Sequence, residues 1–103
     1  MSNRYRVAER FMRYVQIDTT SDPNSSTFPS STKQRDLAMI LFEELKALGL
    51  QDVEIDEWSY VFATIPSKVS QSLPTICFCS HMDTAPDCSG TDVKPILHKK
   101  YTG

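Results

Sequence analysis

The stretch PTICFCSHMD, residues 74–83, decides the predicted fold. Its first seven residues form a short, nearly all-apolar run, which is typical of a central strand buried on both faces of a sheet. His81 and Asp83 follow this strand directly. Because sites in open α/β sheets lie at the carboxyl ends of strands, we expect these two side chains to belong to a site. A histidine two residues from an aspartate is a short motif, however, and by residue type alone such a pair more often has no role in a site.

Two amphipathic helices are predicted before this strand. Apolar residues recur at helical spacing over residues 4–17 and again from Ser31 to Gly49. Ser31 and Gln34 have the spacing of a capping box, and Gly49 stands where a glycine commonly ends a helix. Residues 18–32 are rich in Ser and Thr and contain two prolines, so they predict a loop.

Further strands are predicted on both sides of residues 74–80. Alternating and β-branched patterns indicate strands at 52–58 and 60–65, and a weaker signal covers 93–97. The predicted fold class is therefore α/β, with two helices and three or four strands. Since the last core strand would present unpaired edges, we expect marginal stability or a homo-oligomer formed through those edges.

Composition limits the classes of protein to which the chain can belong. Its 103 residues make one domain at most, and eleven basic against thirteen acidic residues give a net charge of −2. This balance offers no basic footprint for nucleic acid or an anionic membrane. No apolar run approaches the roughly 20 residues that span a bilayer, and the charged N-terminal stretch lacks the apolar core of a signal peptide. We therefore expect a cytoplasmic protein.

Two groups of side chains are candidate metal ligands. His81 can offer a neutral imidazole nitrogen to a divalent cation, while Asp83 orients the ring and Asp87 adds an acid nearby. The second group is Cys77, Cys79 and His81, which share one face of an extended strand and would suit zinc or copper. Because residues two apart on a strand are spaced by nearly 7 Å, the cysteines are more readily explained as small apolar residues in a core.

The loop SHMDTAPDCSG, residues 80–90, resembles the first metal-binding loop of the peptidase T family. These tripeptide aminopeptidases are co-catalytic dizinc exopeptidases, a group that includes carboxypeptidase G and aminoacylase-like enzymes. The stretches ERFMRYVQIDTTSD, FPSSTKQ, ALGL and ATIP resemble the same family in the same order. The resemblance implies that residues 1–103 are the N-terminal, incomplete part of a three-layer α/β/α catalytic domain, with no second domain present.

The same resemblance implies the roles of two residues. His81 matches the histidine that ligates one of two zinc ions, and Asp83 matches the catalytic-site acid that orients it. The other ligands and the paired glutamates that supply the general base have no counterpart in the chain. We therefore expect part of an aminopeptidase that acts on tripeptides and is inactive by itself. The alternatives are a truncated, non-catalytic paralogue that acts as a binding or regulatory module, and a small thiolate metal carrier.

Overall fold

A computed structural model describes residues 3–103 as two helices followed by one β-hairpin. The elements are α1 (Asn3–Tyr14), α2 (Gln34–Ala47), β1 (Gln51–Ile55) and β2 (Val61–Thr64). The general α/β class agrees with the sequence prediction. Both helices and two of the strands form in the predicted regions, but α1 and β1 each end three residues early and α2 begins three residues late. Within residues 3–103, no helix has the length and apolar character needed to cross a membrane.

The C-terminal end of α2 has the predicted glycine stop. Gly49 adopts a φ of 74°, a left-handed conformation that costs glycine little. Its N–H donates to the Lys46 carbonyl at 2.9 Å, and the Leu50 N–H donates to the Leu45 carbonyl at 3.3 Å. These two bonds are those of a Schellman motif, which satisfies carbonyls that the end of a helix leaves free.

The capping box predicted for the start of α2 is wrong. Lys33 holds the N-cap position, is itself helical in conformation and makes no side-chain capping bond. The Gln34 side-chain amide instead donates to Ser30 Oγ at 3.2 Å, and the Gln34 N–H donates to the Ser31 carbonyl at 3.2 Å. A tight turn over residues 31–34 therefore leads into the helix, and Ser31 contributes its backbone carbonyl rather than its hydroxyl.

The hairpin is antiparallel and irregular at one position. The register pairs Gln51 with Thr64 and Ile55 with Val61, and it shifts between Gln51 and Glu54. A bulge of this kind places one extra residue in β1 and increases the local twist. α2 packs on both strands.

The strand predicted at residues 74–80 does not form, and neither does the weaker one at 93–97. Both segments lack a strand partner in the part of the chain that the structure describes, so their backbone groups cannot join a sheet. As a result Phe78 is 93% exposed and Ile76 is 75% exposed. Burial on both faces, as predicted for this segment, would need neighbouring elements that residues 3–103 do not contain.

The apolar core is correspondingly small. Leu37 and Ala38 of α2 are the apolar residues that are buried within the described range. α1 keeps Phe11 on its surface and meets α2 mainly through polar groups at Glu44, which accepts from Arg13 and Tyr14. The fold thus holds its two helices together with little apolar burial.

Candidate metal-binding loop

His81 and Asp83 are in direct contact at the start of the loop that follows residues 74–80. The His81 Nδ1 atom lies 2.9 Å from the Asp83 carbonyl oxygen and 3.1 Å from Asp83 Oδ1. Both oxygens can accept a hydrogen bond, so these partners assign the proton of a neutral His81 ring to Nδ1. The Nε2 lone pair is then available for a metal ion.

The ring of His81 is not that of a core histidine, and a ligand could reach it. The His81 side chain is 84% exposed, and the Asp83 side chain is 44% exposed. A metal-bound histidine almost always donates its other ring N–H to a carboxylate or carbonyl, and His81 has both partners. The pair therefore fits one corner of a zinc site.

The described residues supply only that corner. Residues 3–103 contain no group of three or more His, Cys, Asp or Glu side chains arranged to hold a metal ion. Asp87 lies on the same loop, but it makes no hydrogen bond with His81 among the described contacts. Because zinc takes about four ligands, the arrangement does not make a complete zinc centre.

A short backbone bridge docks the loop on the segment after α1. The Thr84 N–H donates to the Thr19 carbonyl at 3.2 Å, and the Ser21 N–H donates to the Thr84 carbonyl at 3.0 Å. The Ser21 hydroxyl adds a second bond to the same carbonyl at 3.1 Å. Thr84 follows Asp83 directly, so this parallel bridge fixes the backbone next to the histidine–aspartate pair.

Asp18 joins the other end of the loop to the same segment. Its Oδ1 atom accepts from the Thr20 hydroxyl at 2.7 Å and from the Thr20 N–H at 3.0 Å. Its Oδ2 atom accepts from Lys33 Nζ at 2.8 Å and from the Thr91 hydroxyl at 3.0 Å. The donation from Lys33, followed by that from Thr20, holds the pKa of the Asp18 carboxyl well below its usual range.

Gly90 packs against this carboxylate. A Cβ atom at position 90 would lie 2.5 Å from Thr20 Oγ1 and 2.8 Å from Asp18 Oδ1. Contacts this short require the side chains or the loop to move. A side chain at position 90 could be accommodated only if Asp18 and Thr20 left their present positions.

A cleft of about 650 Å³ lies between the loop and the helices. Its volume is within the range of small-molecule sites. The loop contributes His81, Asp87 and Cys88, and the helical side contributes Phe11 and Leu37. His81 thus stands at the border of an open cleft with an apolar wall.

The three cysteines lie on the surface as free thiols. The sulfurs of Cys77 and Cys79 are 3.7 Å apart, closer than the strand spacing that was predicted for them. The hydrogen bond with the Cys79 thiol raises the pKa of Cys77. Since no third ligand joins them within the described residues, the thiolate metal carrier receives no support.

The sequence prediction missed the residues that hold the loop, namely Asp18, Thr20, Lys33 and Thr91. A signal for two of them was present, since Asp-x-Thr in a loop is typical of a side chain that bonds the backbone two residues on. The contacts from Asp18 to Lys33 and Thr91 join distant parts of the chain and leave no local pattern.

Curated relatives of the chain are peptidases. Peptidase T of Alkaliphilus oremlandii (strain OhILAs) is 54% identical over 99 residues, which is 94% of this chain and 24% of the relative. Peptidase T of Geobacillus sp. (strain WCH70) is 52% identical over 97 residues, again 94% of this chain and 24% of the relative. Peptidase T of Clostridium botulinum (strain 657 / Type Ba4) is 50% identical over 97 residues, which is 94% of this chain and 24% of the relative.

The chain is therefore matched to a peptidase over nearly its whole length. More particularly, it is similar to a part of the curated proteins named peptidase T, and it spans about a quarter of their length. No protein-family model matches the chain.

Proposed function

We propose that the chain is the N-terminal part of the catalytic domain of a zinc-dependent aminopeptidase that releases the N-terminal residue from tripeptides. The observation that carries this proposal is the identity of about one half to peptidase T relatives over 94% of the chain. The exposed ring of His81, bonded through Nδ1 to Asp83, supports the metal-ligand role. The proposal includes a three-layer α/β/α domain and a cytoplasmic location.

In this proposal His81 and Asp83 divide the work at one corner of the site. His81 would hold one zinc ion through Nε2, and Asp83 fixes the ring and keeps the proton on Nδ1. When bound, a zinc pair supplies an activated water and polarises the scissile carbonyl. The bridge at Thr84 and the carboxylate of Asp18 keep the loop in place while the ring serves as a ligand.

The chain by itself is proposed to be inactive. His81 supplies one ligand, and the described residues hold no larger cluster that could complete a zinc centre. A proton acceptor for the attacking water is also needed, and Asp83 is engaged with the imidazole. Hydrolysis would therefore depend on residues outside this chain.

A chimera tests the proposed function by joining these residues to the rest of a related enzyme. In it, residues 1–103 replace the matching segment of the Geobacillus peptidase T, which is 52% identical over 97 residues. Alanine release from trialanine is measured with zinc, with a chelator, and after zinc is restored. N-acetyl-trialanine, which lacks a free amine, is the control substrate.

We expect zinc-dependent hydrolysis of trialanine by the chimera, loss of activity with the chelator, and no hydrolysis by the 103-residue chain alone. A chimera that folds and binds zinc but leaves trialanine intact, while the parent enzyme cleaves it, would overturn the proposal. Activity of the 103-residue chain alone would overturn the part that concerns its inactivity.

A non-catalytic binding module is the second candidate function. The exposed apolar side chains of Ile76 and Phe78 favour it, because exposed apolar surface commonly marks a contact with another polypeptide. The reading frame after Gly103 separates the two candidates. A frame that encodes further acidic and histidine ligands favours the peptidase, while a stop codon at that point favours the module.

A further inference from the structure

We infer that Asp18 is a positioning residue for the metal-binding loop: its carboxylate fixes residues 84–91 against the segment after α1 and thereby sets the orientation of the His81–Asp83 pair. Any effect of Asp18 on catalysis rests on the proposed function. The docking of the loop by Asp18 does not, and it can be tested on the 103-residue chain.

The first support is the number and direction of the bonds that Asp18 accepts. Four donors converge on its two oxygens, from Thr20, Lys33 and Thr91, at 2.7–3.0 Å. Thr20 belongs to the segment after α1, Lys33 is the N-cap of α2, and Thr91 directly follows the metal-binding loop of residues 80–90. One carboxylate therefore ties three separate parts of the chain together.

The second support is steric. Gly90 lies so close to Asp18 and Thr20 that an added Cβ would come within 2.8 Å of both side chains. The loop thus contacts the carboxylate by its backbone as well as by the Thr91 hydroxyl. The Asp18 side chain is 21% exposed, so protein groups cover most of its surface.

The third support is the connection from Asp18 to the ring. Thr20 pairs with Thr84 in the isolated parallel bridge, and Thr84 directly follows Asp83. The contacts at Thr84 and Thr91 hold the two ends of residues 84–91, and His81 bonds to Asp83 just before them. Loss of the carboxylate would release the far end of the loop, and it would also weaken the bridge at Thr84, because Thr20, the partner of Thr84, is held by the same carboxylate.

The test compares Asp18→Ala and Thr91→Val with the parent 103-residue chain by amide hydrogen exchange. We expect the Thr84 amide to exchange at least about tenfold faster in both variants, as for the loss of a hydrogen bond to a charged acceptor. The amides paired between Ile55 and Val61 should keep their rates. Thr27→Val is the matched control, since its hydroxyl bonds only within its own turn.

A second readout follows the ring itself. The ¹⁵N shifts of His81 report which nitrogen carries the proton, and we expect Asp18→Ala to reduce the share of the Nδ1–H form. Asp18→Asn, which keeps an oxygen acceptor for Thr20, should restore part of that share. A residue that only stabilised the fold would change the exchange rates throughout the chain without this partial rescue.

Unchanged Thr84 exchange and unchanged His81 shifts in Asp18→Ala would overturn the inference. If Asp18→Ala unfolds the chain, Thr91→Val tests the inference instead, because it removes a single hydroxyl. Unchanged Thr84 exchange in Thr91→Val would then contradict the inference. In the chimera we expect Asp18→Ala to lower kcat for trialanine more than it changes KM. A parent chimera that folds and binds zinc but does not cleave trialanine would refute the proposed function, and the exchange rates would still test the role of Asp18.

Discussion

The Thr91 hydroxyl lies 3.0 Å from Asp18 Oδ2, although the two residues are 73 positions apart in the sequence. This bond closes a loop that begins at the His81–Asp83 pair. The carboxylate that receives it also accepts from Thr20 and Lys33. The candidate metal ligand is therefore positioned by groups that lie before α2, and the stability of the loop should depend on them.

Gly90→Ala should undock this loop. The new methyl group would meet Thr20 Oγ1 at 2.5 Å, and relieving such an overlap typically costs about 1–3 kcal/mol. Urea unfolding followed by the Thr84 amide signal measures the loss. Gly49→Ala is the matched control: its Cβ has open space but a φ of 74°, so it should weaken the end of α2 and leave the loop intact. Equal effects of both variants on Thr84 would contradict the steric explanation.

Asp83→Ala should weaken metal binding without removing a metal ligand. The carboxylate contact at 3.1 Å orients the imidazole, and such orienting groups typically contribute about 10–100-fold to metal affinity or activity. Zinc titration of the chimera measures the change. Asp87→Ala, on the same loop, is the control and should keep the parent affinity. An unchanged affinity in Asp83→Ala would rule out the orienting role.

Docking of the loop should withstand mild acid. The pKa of Asp18 is held below its ordinary value, chiefly by Lys33, which is the charged group among its contacts. A carboxylate whose pKa falls on folding stabilises the folded state fully above its unfolded pKa, about 3.9, and loses that contribution as the pH falls through the folded value. The Thr91 amide signal should therefore stay in place from neutral pH to about pH 4 and move only in stronger acid. A loop transition centred near pH 6 would disagree.

The thiols of residues 77 and 79 should report whether the segment around them is buried in a complete enzyme. In the 103-residue chain Cys77, Cys79 and Cys88 are all exposed, so iodoacetamide should modify each of them. In the folded chimera we expect Cys77 and Cys79 to be protected, because residues 74–80 would then be a central strand. Cys88, on the loop, serves as the internal reference. Equal labelling of Cys77 in both proteins would count against that strand.

The sequence predicted the elements whose determinants are local. The apolar stripe of α2, its end at Gly49 and the alternation in β1 are all set by neighbouring residues, and the structure confirms them. The strand at residues 74–80 was predicted from a buried apolar run. Burial of such a run requires partner strands, and within residues 3–103 it has none.

In the candidate site too, the local contacts could be predicted from the sequence and the distant ones could not. His81 and Asp83 are two positions apart, so their contact follows from a short motif in the sequence. The docking of the loop depends on Asp18 and Thr91, which only the three-dimensional structure brings together. The predicted capping box is wrong because the turn before α2 uses the Ser31 carbonyl, and Lys33 takes the N-cap position.

Zinc content of the chimera tests the central claim most directly. The chain contains two histidines, so His81→Ala can be compared with His98→Ala, which changes the same residue type outside the candidate site. We expect His81→Ala to lose about one of the two zinc ions that the resemblance implies for a complete site, together with trialanine hydrolysis, while His98→Ala keeps both. A folded His81→Ala chimera that retains its full zinc content and its activity would contradict the account.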